Sequence, residues 1–257
     1  MCLILLAWKC RDDLPLVVAA NRDEDFARPT APADFWQENP EILAGRDLSA
    51  VGTWLGTHRN GRFAALTNYR HPSDRRSDAP SRGALVANFL RDTTSPPDYL
   101  RSLQASAQAY NGFSLLVGDR DQLWCFSNRG LAPQALPPGV HGLSNHLLNT
   151  PWPKVTRGVS ALETLVRRGA DSMEYFDLLD DTTVATDPEL PDTGVGIERE
   201  RWLSAMRLVG ASYGTRCSTV LRMSATGEAE FHERTWGMGS EAAGTASHRF
   251  RIVSARA

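Results

Sequence analysis

The chain has 257 residues, of which 42% are hydrophobic and 23% charged, a globular balance with enough apolar material for a sizeable core. A net charge of −2 supplies no basic field to hold nucleic acid, and no run approaches the ~20 apolar residues that cross a bilayer, so polyanion binding and membrane spanning are set aside. The four cysteines, Cys2, Cys10, Cys125 and Cys217, show no CxxC pair, zinc spacing or haem-attachment motif, and read as reduced thiols of a cytoplasmic protein.

The first two apolar runs, Cys2–Trp8 and Leu14–Ala20, bracket a polar tip and predict a hairpin. No basic segment precedes them, and Lys9, Arg11, Asp12 and Asp13 follow at once, which is the wrong charge order for a secretion signal. A second hairpin pairs "TWLGTH" with "RFAALTNY" across Asn60-Gly61, a dipeptide suited to the positive φ of a tight turn. After a polar loop at 69–80, Ser81 is the expected N-cap of a helix that turns Leu85, Val86, Phe89 and Leu90 inward. A further helix is expected over Asp98–Tyr110, then a third hairpin around Asp119–Asp121.

"HGLSNHLLN" reads as a strand ending in a shaped turn. Pro153 opens a helix with Val155, Val159, Leu162, Leu165 and Val166 on one face, and Gly169 closes it. A shorter helix follows over Ser172–Leu179. Residues 181–197 read as loop, and strands return at Leu203–Val209, Gly214–Met223 and Glu228–Thr235. "GMGSEAAGTASH" reads as a small-residue connector before a final edge strand, "RFRIV". There is no internal repeat and no low-complexity linker, so one domain over 1–257 is expected, of α+β class with mostly antiparallel sheets.

Cys2 raises the chemical question. Removal of Met1 makes Cys2 the first residue, carrying both a thiol nucleophile and an α-amine whose pKa near 8 suits a base. The alternative is that Cys2 packs as a small apolar side chain at the end of a strand. Other residues bear on the choice. "AANRDEDFARP", "GTWLGTHRNGRFAALTNYR", "SRGALV", "GFSLLVGD", "HGLSNHLLNTPWPKV" and "YGTRCSTVL" follow one another in order. In these blocks the chain resembles the NRDE, or TANGO2-like (transport and Golgi organisation protein 2), family along most of its length; 90–112 and the tail after 237 are less distinctive. That family in turn resembles the choloylglycine-hydrolase and penicillin-acylase branch of the N-terminal nucleophile hydrolases.

The resemblance implies a four-layer αββα sandwich and a cysteine attacking a carbonyl carbon. It places the nucleophile at Cys2, oxyanion donors at Asn68 and Asn145, an early charged pair at Arg22 and Asp23, and a late arginine at Arg216. Asn21, Glu24, Trp54 and Trp152 are the companion candidates for binding substrate; Trp236 is a further pocket candidate. The branch separates its early Arg and Asp by two residues, whereas Arg22 and Asp23 are adjacent and alternate faces if on a strand. Taken singly, Asn21–Glu24 also suit a turn, Asn68 and Asn145 turn or capping roles, Arg216 an ion pair, and the tryptophans the core.

Two functions remain. One is a hydrolase or acyltransferase acting on amide or thioester bonds, with no required cofactor and no metal. The other is a non-catalytic carrier of haem or acyl-CoA on the same fold, with Cys2, His141 or His146 as candidate ligands to haem iron. Arg70, His71, Arg75 and Arg76, beside the helix start at Ser81–Gly83, are a candidate phosphate hold for such a carrier, or a solvated loop. Pairing Cys125 or Cys217 with His141, His146 or His232 as a papain-like dyad has no local sequence support.

Overall fold

The computed structural model describes residues 2–72, 76–238 and 241–253. Met1, whose removal the Cys2 chemistry requires, and Arg75 of the expected phosphate loop lie outside the described residues.

Two antiparallel sheets are stacked face to face. The first contains β1 (Cys2–Trp8), β2 (Leu16–Asp25), β10 (Gly139–Leu143), β11 (Tyr213–Met223), β12 (Glu228–Trp236) and β13 (Ala242–Arg251), in the order β10-β1-β2-β11-β12-β13. The second runs in chain order through β3 (Thr30–Trp36), β4 (Asn39–Asp47), β5 (Leu55–His58), β6 (Phe63–Asn68), β7 (Phe113–Gly118), β8 (Leu123–Ser127) and β9 (Leu131–Ala135).

Strand alternation splits the apolar residues into three layers. Ile4, Leu6, Trp8, Val18 and Leu221 meet Leu43, Phe63, Ala65 and Leu116 between the sheets. Leu3, Leu5, Ala7, Val17 and Ala19 face the other way, under α3 (Pro153–Arg168) and α4 (Ser172–Leu179). Ala64, Leu66, Leu115 and Val117 of the second sheet lie under α1 (Gly83–Arg91) and α2 (Pro96–Gln104). The sandwich is therefore αββα, the architecture implied by the resemblance.

The hairpins around Asn60-Gly61 and Asp119–Asp121 form as expected, with Gly61 at φ 90°. α3 starts at Pro153 and ends on Gly169 in the left-handed region at φ 72°. Four expectations are corrected. Ser81 is not a side-chain cap: Arg82 precedes α1 and makes no capping bond. The helix expected over Asp98–Tyr110 starts earlier and breaks, with α2 capped by Ser95 and a separate single turn at Ala107–Ala109. The segment expected as the strand Leu203–Val209 instead closes α5 (Ile197–Leu203) and continues irregularly, with Leu203, Ala205 and Leu208 forming a small apolar cluster of their own. Much of the expected connector is strand, since β13 begins at Ala242 and pairs along β12. Among the described residues, no helix is long and apolar enough to cross a membrane.

Candidate active site

The site forms where β1 begins. Cys2 stands opposite Arg22 in the β1–β2 pair, and Arg22 stands opposite Cys217 in the β2–β11 pair. Cys2 has the parity of Ile4 and Leu6, so it continues the inter-sheet face to its open end. There it lines a cleft of about 520 Å³ with Arg22, Glu24, Trp54, Asn68 and Arg82. A second lobe of about 280 Å³ adjoins it, sharing Glu24, Asn68 and Arg82 and adding Asn145, Arg70 and Tyr213. α1 is brought to the rim by a close backbone crossing: a Cβ on Gly52 would lie 2.6 Å from the Gly83 carbonyl carbon.

The turn after β10 grips the main chain of Cys2 from both sides. Ser144 Oγ donates to the Cys2 carbonyl at 3.0 Å, and the Cys2 N–H donates to Asn145 Oδ1 at 3.4 Å. Asn145 Nδ2 in turn donates to the Asn68 carbonyl at 2.9 Å, which ties the turn to the second sheet. The Thr67 hydroxyl donates to the Ser144 carbonyl and the Arg70 N–H to the Asn145 carbonyl, reinforcing that tie. Asn68 lines both lobes, and no hydrogen bond holds its side-chain amide among the described residues.

Burial pushes the Cys2 thiol above its ordinary range and the charge of Asp23 adds to the rise; a main-chain hydrogen bond from Asp23 and the charge of Arg22 oppose it without cancelling it. The resting group is a thiol, and attack on a carbonyl requires a base to take its proton. Burial likewise raises Cys217 and pushes Cys125 up to about 12, which suits both to core packing.

β2 does not end at Ala20 but runs on through Asp25, so the Asn21–Glu24 tetrapeptide alternates. Arg22 faces the gap between the sheets. Its guanidinium lies 4.3 Å from the Trp54 ring centroid, 3.6 Å from Glu24 and 3.7 Å from Asp47. Asn21 and Asp23 face the helices. The Asn21 amide donates to the carbonyls of Leu179 and Met206, both at 2.9 Å, and accepts from Ser218 at 2.6 Å. Its side chain is thus spent on the core and offers nothing to substrate, a correction to its place among the binding candidates.

Asp23 is buried, accepts from Thr215 Oγ1 at 2.7 Å, and its main-chain oxygen accepts from Tyr213 at 3.0 Å. Burial raises its carboxyl, and the charges of Lys154 and Arg70 and the Thr215 hydrogen bond restrain the rise. Glu24 stays with the cleft, which Asp23 also lines.

Two more candidates are not brought to the thiol. A bulge between Thr215 and Cys217 turns Arg216 away. Its guanidinium donates to the carbonyls of Asp25, Phe26 and Arg28 at 3.0, 2.7 and 3.3 Å, stapling the chain that leaves β2. Trp152 packs beside His146 and under Arg70, 4.6 Å from its ring centroid, and lines neither lobe. Trp54 does line the cleft. The expected phosphate hold is otherwise employed: Arg70 pairs with Glu200 at 2.7 Å, and Arg76 and Arg82 donate to main-chain carbonyls.

Lys154, Thr215 and the Arg70–Glu200 pair also stand at the site, with no pattern in the sequence that marks them. Lys154 sits in the first turn of α3 with 1% of its surface exposed, and among the described residues its ammonium has no hydrogen-bond partner. Burial brings it down to about 8; the negative charges of Asp23 and Glu200 hold it up, as does Cys2 when ionised, and Arg70 pushes it further down. The only sequence signal was the block "TPWPKV" itself, since a lysine on an amphipathic helix ordinarily reads as solvated.

The αββα layering is a fold shared with solved structures. A mutant conjugated bile acid hydrolase from Clostridium perfringens superposes with a TM-score of 0.51 at 9% identity, over 99% of this chain and 98% of that one. At the level of sequence, the family model "Transport and Golgi organisation 2" matches residues 1–238, and the chain belongs to that family, TANGO2. The Transport and Golgi organization protein 2 homolog of Bos taurus is 37% identical over 93% of each chain, and that of Homo sapiens 37% identical over 86% of each.

Proposed function

We propose that the protein is an N-terminal nucleophile hydrolase or acyltransferase acting through Cys2 on amide or thioester bonds. The observation that carries this reading is the meeting of Cys2 and the uncommitted Asn68 at the cleft, with Asn145 of the adjoining lobe placing Oδ1 3.4 Å from the nitrogen that becomes the α-amine when Met1 is removed. The Cys2 sulfur attacks the carbonyl carbon, and the thiol proton passes to that amine. The oxyanion forms beside the Asn68 amide, a preorganised donor worth about 3–4 kcal/mol in such intermediates. The C–N or C–S bond then breaks, the departing amine or thiol takes the proton, and water or an acceptor releases the acyl group from the sulfur. Asn145 in this scheme orients the amine, because its NH₂ is engaged by the Asn68 carbonyl.

A carrier reading draws on one observation: Arg216, the late arginine expected to serve the chemistry, is engaged away from the thiol. Within it, acyl-CoA suits the polar cleft better than haem, whose flat apolar face needs an apolar slot.

Intact mass before and after exposure to a panel of acyl amides and acyl-CoA thioesters separates the two. Loss of Met1 together with an acyl adduct mapped to Cys2 is the expected result. Retained Met1, or a free Cys2 that no donor acylates, overturns the hydrolase and leaves the carrier to acyl-CoA and haem titration.

A further inference from the structure

The nucleophile and the oxyanion donor belong to different sheets. Cys2 opens β1 of the first, and Asn68 ends β6 of the second. The ladder of one sheet does not fix the distance to a residue of the other, and a misplacement of about 1 Å can cost about 10²-fold in rate.

The turn after β10 bridges the two. Among the described residues, the β1–β10 ladder starts at the pair of Ile4 with Leu143. Beyond it, side chains do what a longer β10 would do: Asn145 Oδ1 accepts from the Cys2 N–H, and Ser144 Oγ donates to the Cys2 carbonyl. The two holds are unequal. The first, at 3.4 Å, is long for a hydrogen bond, whereas the second is 3.0 Å. The first also changes character when Met1 is removed, because the amide nitrogen becomes an amine at a chain end, and chain ends fray. The carbonyl that Ser144 holds is the same before and after.

On its other side the turn is moored to the second sheet by three carbonyls. That of Ser144 accepts from the Thr67 hydroxyl, that of Asn145 from the Arg70 N–H at 2.7 Å, and that of His146 from the Ser114 hydroxyl at 2.9 Å. Thr67 and Ser114 stand directly opposite each other on β6 and β7. By alternation they share the face on which Phe63, Ala65 and Leu116 build the apolar layer between the sheets. Both are buried, where a hydroxyl lowers stability unless it is hydrogen-bonded. Valine and alanine would suit the layer. The two hydroxyls are committed instead to the turn, beside Asn68.

We propose that this turn is the gauge that sets Cys2 against the Asn68 amide, and that Ser144 is its positioning residue, fixing the nucleophile through the Cys2 carbonyl. Ser144 is buried and lines neither lobe, so it acts through Cys2 and does not touch substrate. The proposal rests on the reading of Cys2 as an N-terminal nucleophile.

The test follows acylation of Cys2 by intact mass, with the member of the panel of acyl amides and acyl-CoA thioesters that labels the parent fastest, at several donor concentrations. S144A is expected to slow acylation at saturation by about tenfold and to leave the half-saturating concentration unchanged. T67V removes the mooring hydroxyl at nearly constant volume and is expected to act in the same direction by a smaller factor. T67S, which keeps the hydroxyl, is expected to stay closer to the parent than T67V. In an N68A background S144A is expected to slow acylation less than in the parent, since the donor whose distance it sets is gone. Thermal melts of the same samples establish that each variant is folded at the assay temperature.

A folded S144A that is acylated at the parental rate overturns the proposal, as does an S144A effect undiminished by N68A. Where S144A does not fold, T67V decides, and a T67V that matches the parent overturns it. The two readings fail differently. Variants no slower than an acylated parent remove the role of Ser144 and keep the hydrolase. A parent that no donor acylates removes the hydrolase, and the positioning role falls with it.

Discussion

The sandwich has a cleft at each end of β1, of nearly equal size and opposite character. At the Cys2 end, about 520 Å³ is backed by polar groups the fold has buried, among them Arg22, Asp23, Asn145 and Lys154. At the Trp8 end, about 500 Å³ is lined by Lys9, Arg11, Asp12, Asp119, Arg120 and Asp121. Those groups are largely satisfied at the surface: Arg11 bonds Asp13 at 2.8 Å and Lys9 donates to the Asp121 carbonyl at 2.6 Å. Volume does not distinguish the two ends. Polar groups held out of water do, because the fold gives up stability to keep them there.

The sharpest way to break this comparison is at Cys2. C2A is expected to abolish acyl labelling and turnover, while C10S, on the turn at the other end, leaves both intact; intact mass and product release read the difference. Next is the oxyanion donor. N68A is expected to lower kcat by about 10²–10³-fold with a smaller change in KM, which steady-state kinetics on any donor found in the panel checks.

Third is Asn21, a neighbour of the site that faces the core. N21A strands two carbonyls and the Ser218 hydroxyl, and a loss of roughly 2–4 kcal/mol in denaturant unfolding is expected, with Cys2 alkylation unchanged in the folded protein. Fourth, K154M removes the buried ammonium that has no hydrogen-bond partner among the described residues, and its stability advantage over the parent is expected to shrink as pH rises. Lys154 is lowered to about 8 from 10.5, so between those values the unfolded chain binds more protons and the parent gains relative stability. Paired thermal melts across that window read the sign. The smallest effect is expected at the far cleft, where D121A changes stability by no more than about 0.5 kcal/mol and leaves labelling alone.

The sequence disclosed what local chemistry determines. Asn60-Gly61, Pro153 and Gly169 each specify their own turn or helix end, and those elements stand where expected. Alternation along a strand already separated Arg22 from Asp23, and the extension of β2 through Asp25 makes that separation real. Elements set by tertiary partners were hidden. β3 and β4 drew no expectation, and proline recurs in both, at Pro32 and Pro40. β13 is an exposed edge of small residues, which resembles a linker until β12 is beside it. Arg216 was misplaced by one bulge, which no residue pattern announces. The burial of Lys154 depends on what covers it, here β1 from the far end of the chain as well as the neighbouring β10.

The order of strands also bears on how the protein is made. The second sheet comes from one continuous stretch, β3 to β9, and can assemble while the chain is still being synthesised. The first cannot, since β2 must wait for β11, with Asp25 pairing to Tyr213. At synthesis rates of ~5–20 residues per second, that delay is roughly 10–40 s. β10 and the turn at Ser144–Asn145 are made before β11, and until they are, the β1–β2 hairpin lacks the contacts that grip the Cys2 main chain. If the proposed chemistry at Cys2 holds, trimming of Met1 has that early interval in which to occur, before the Ser144–Asn145 turn grips the Cys2 main chain.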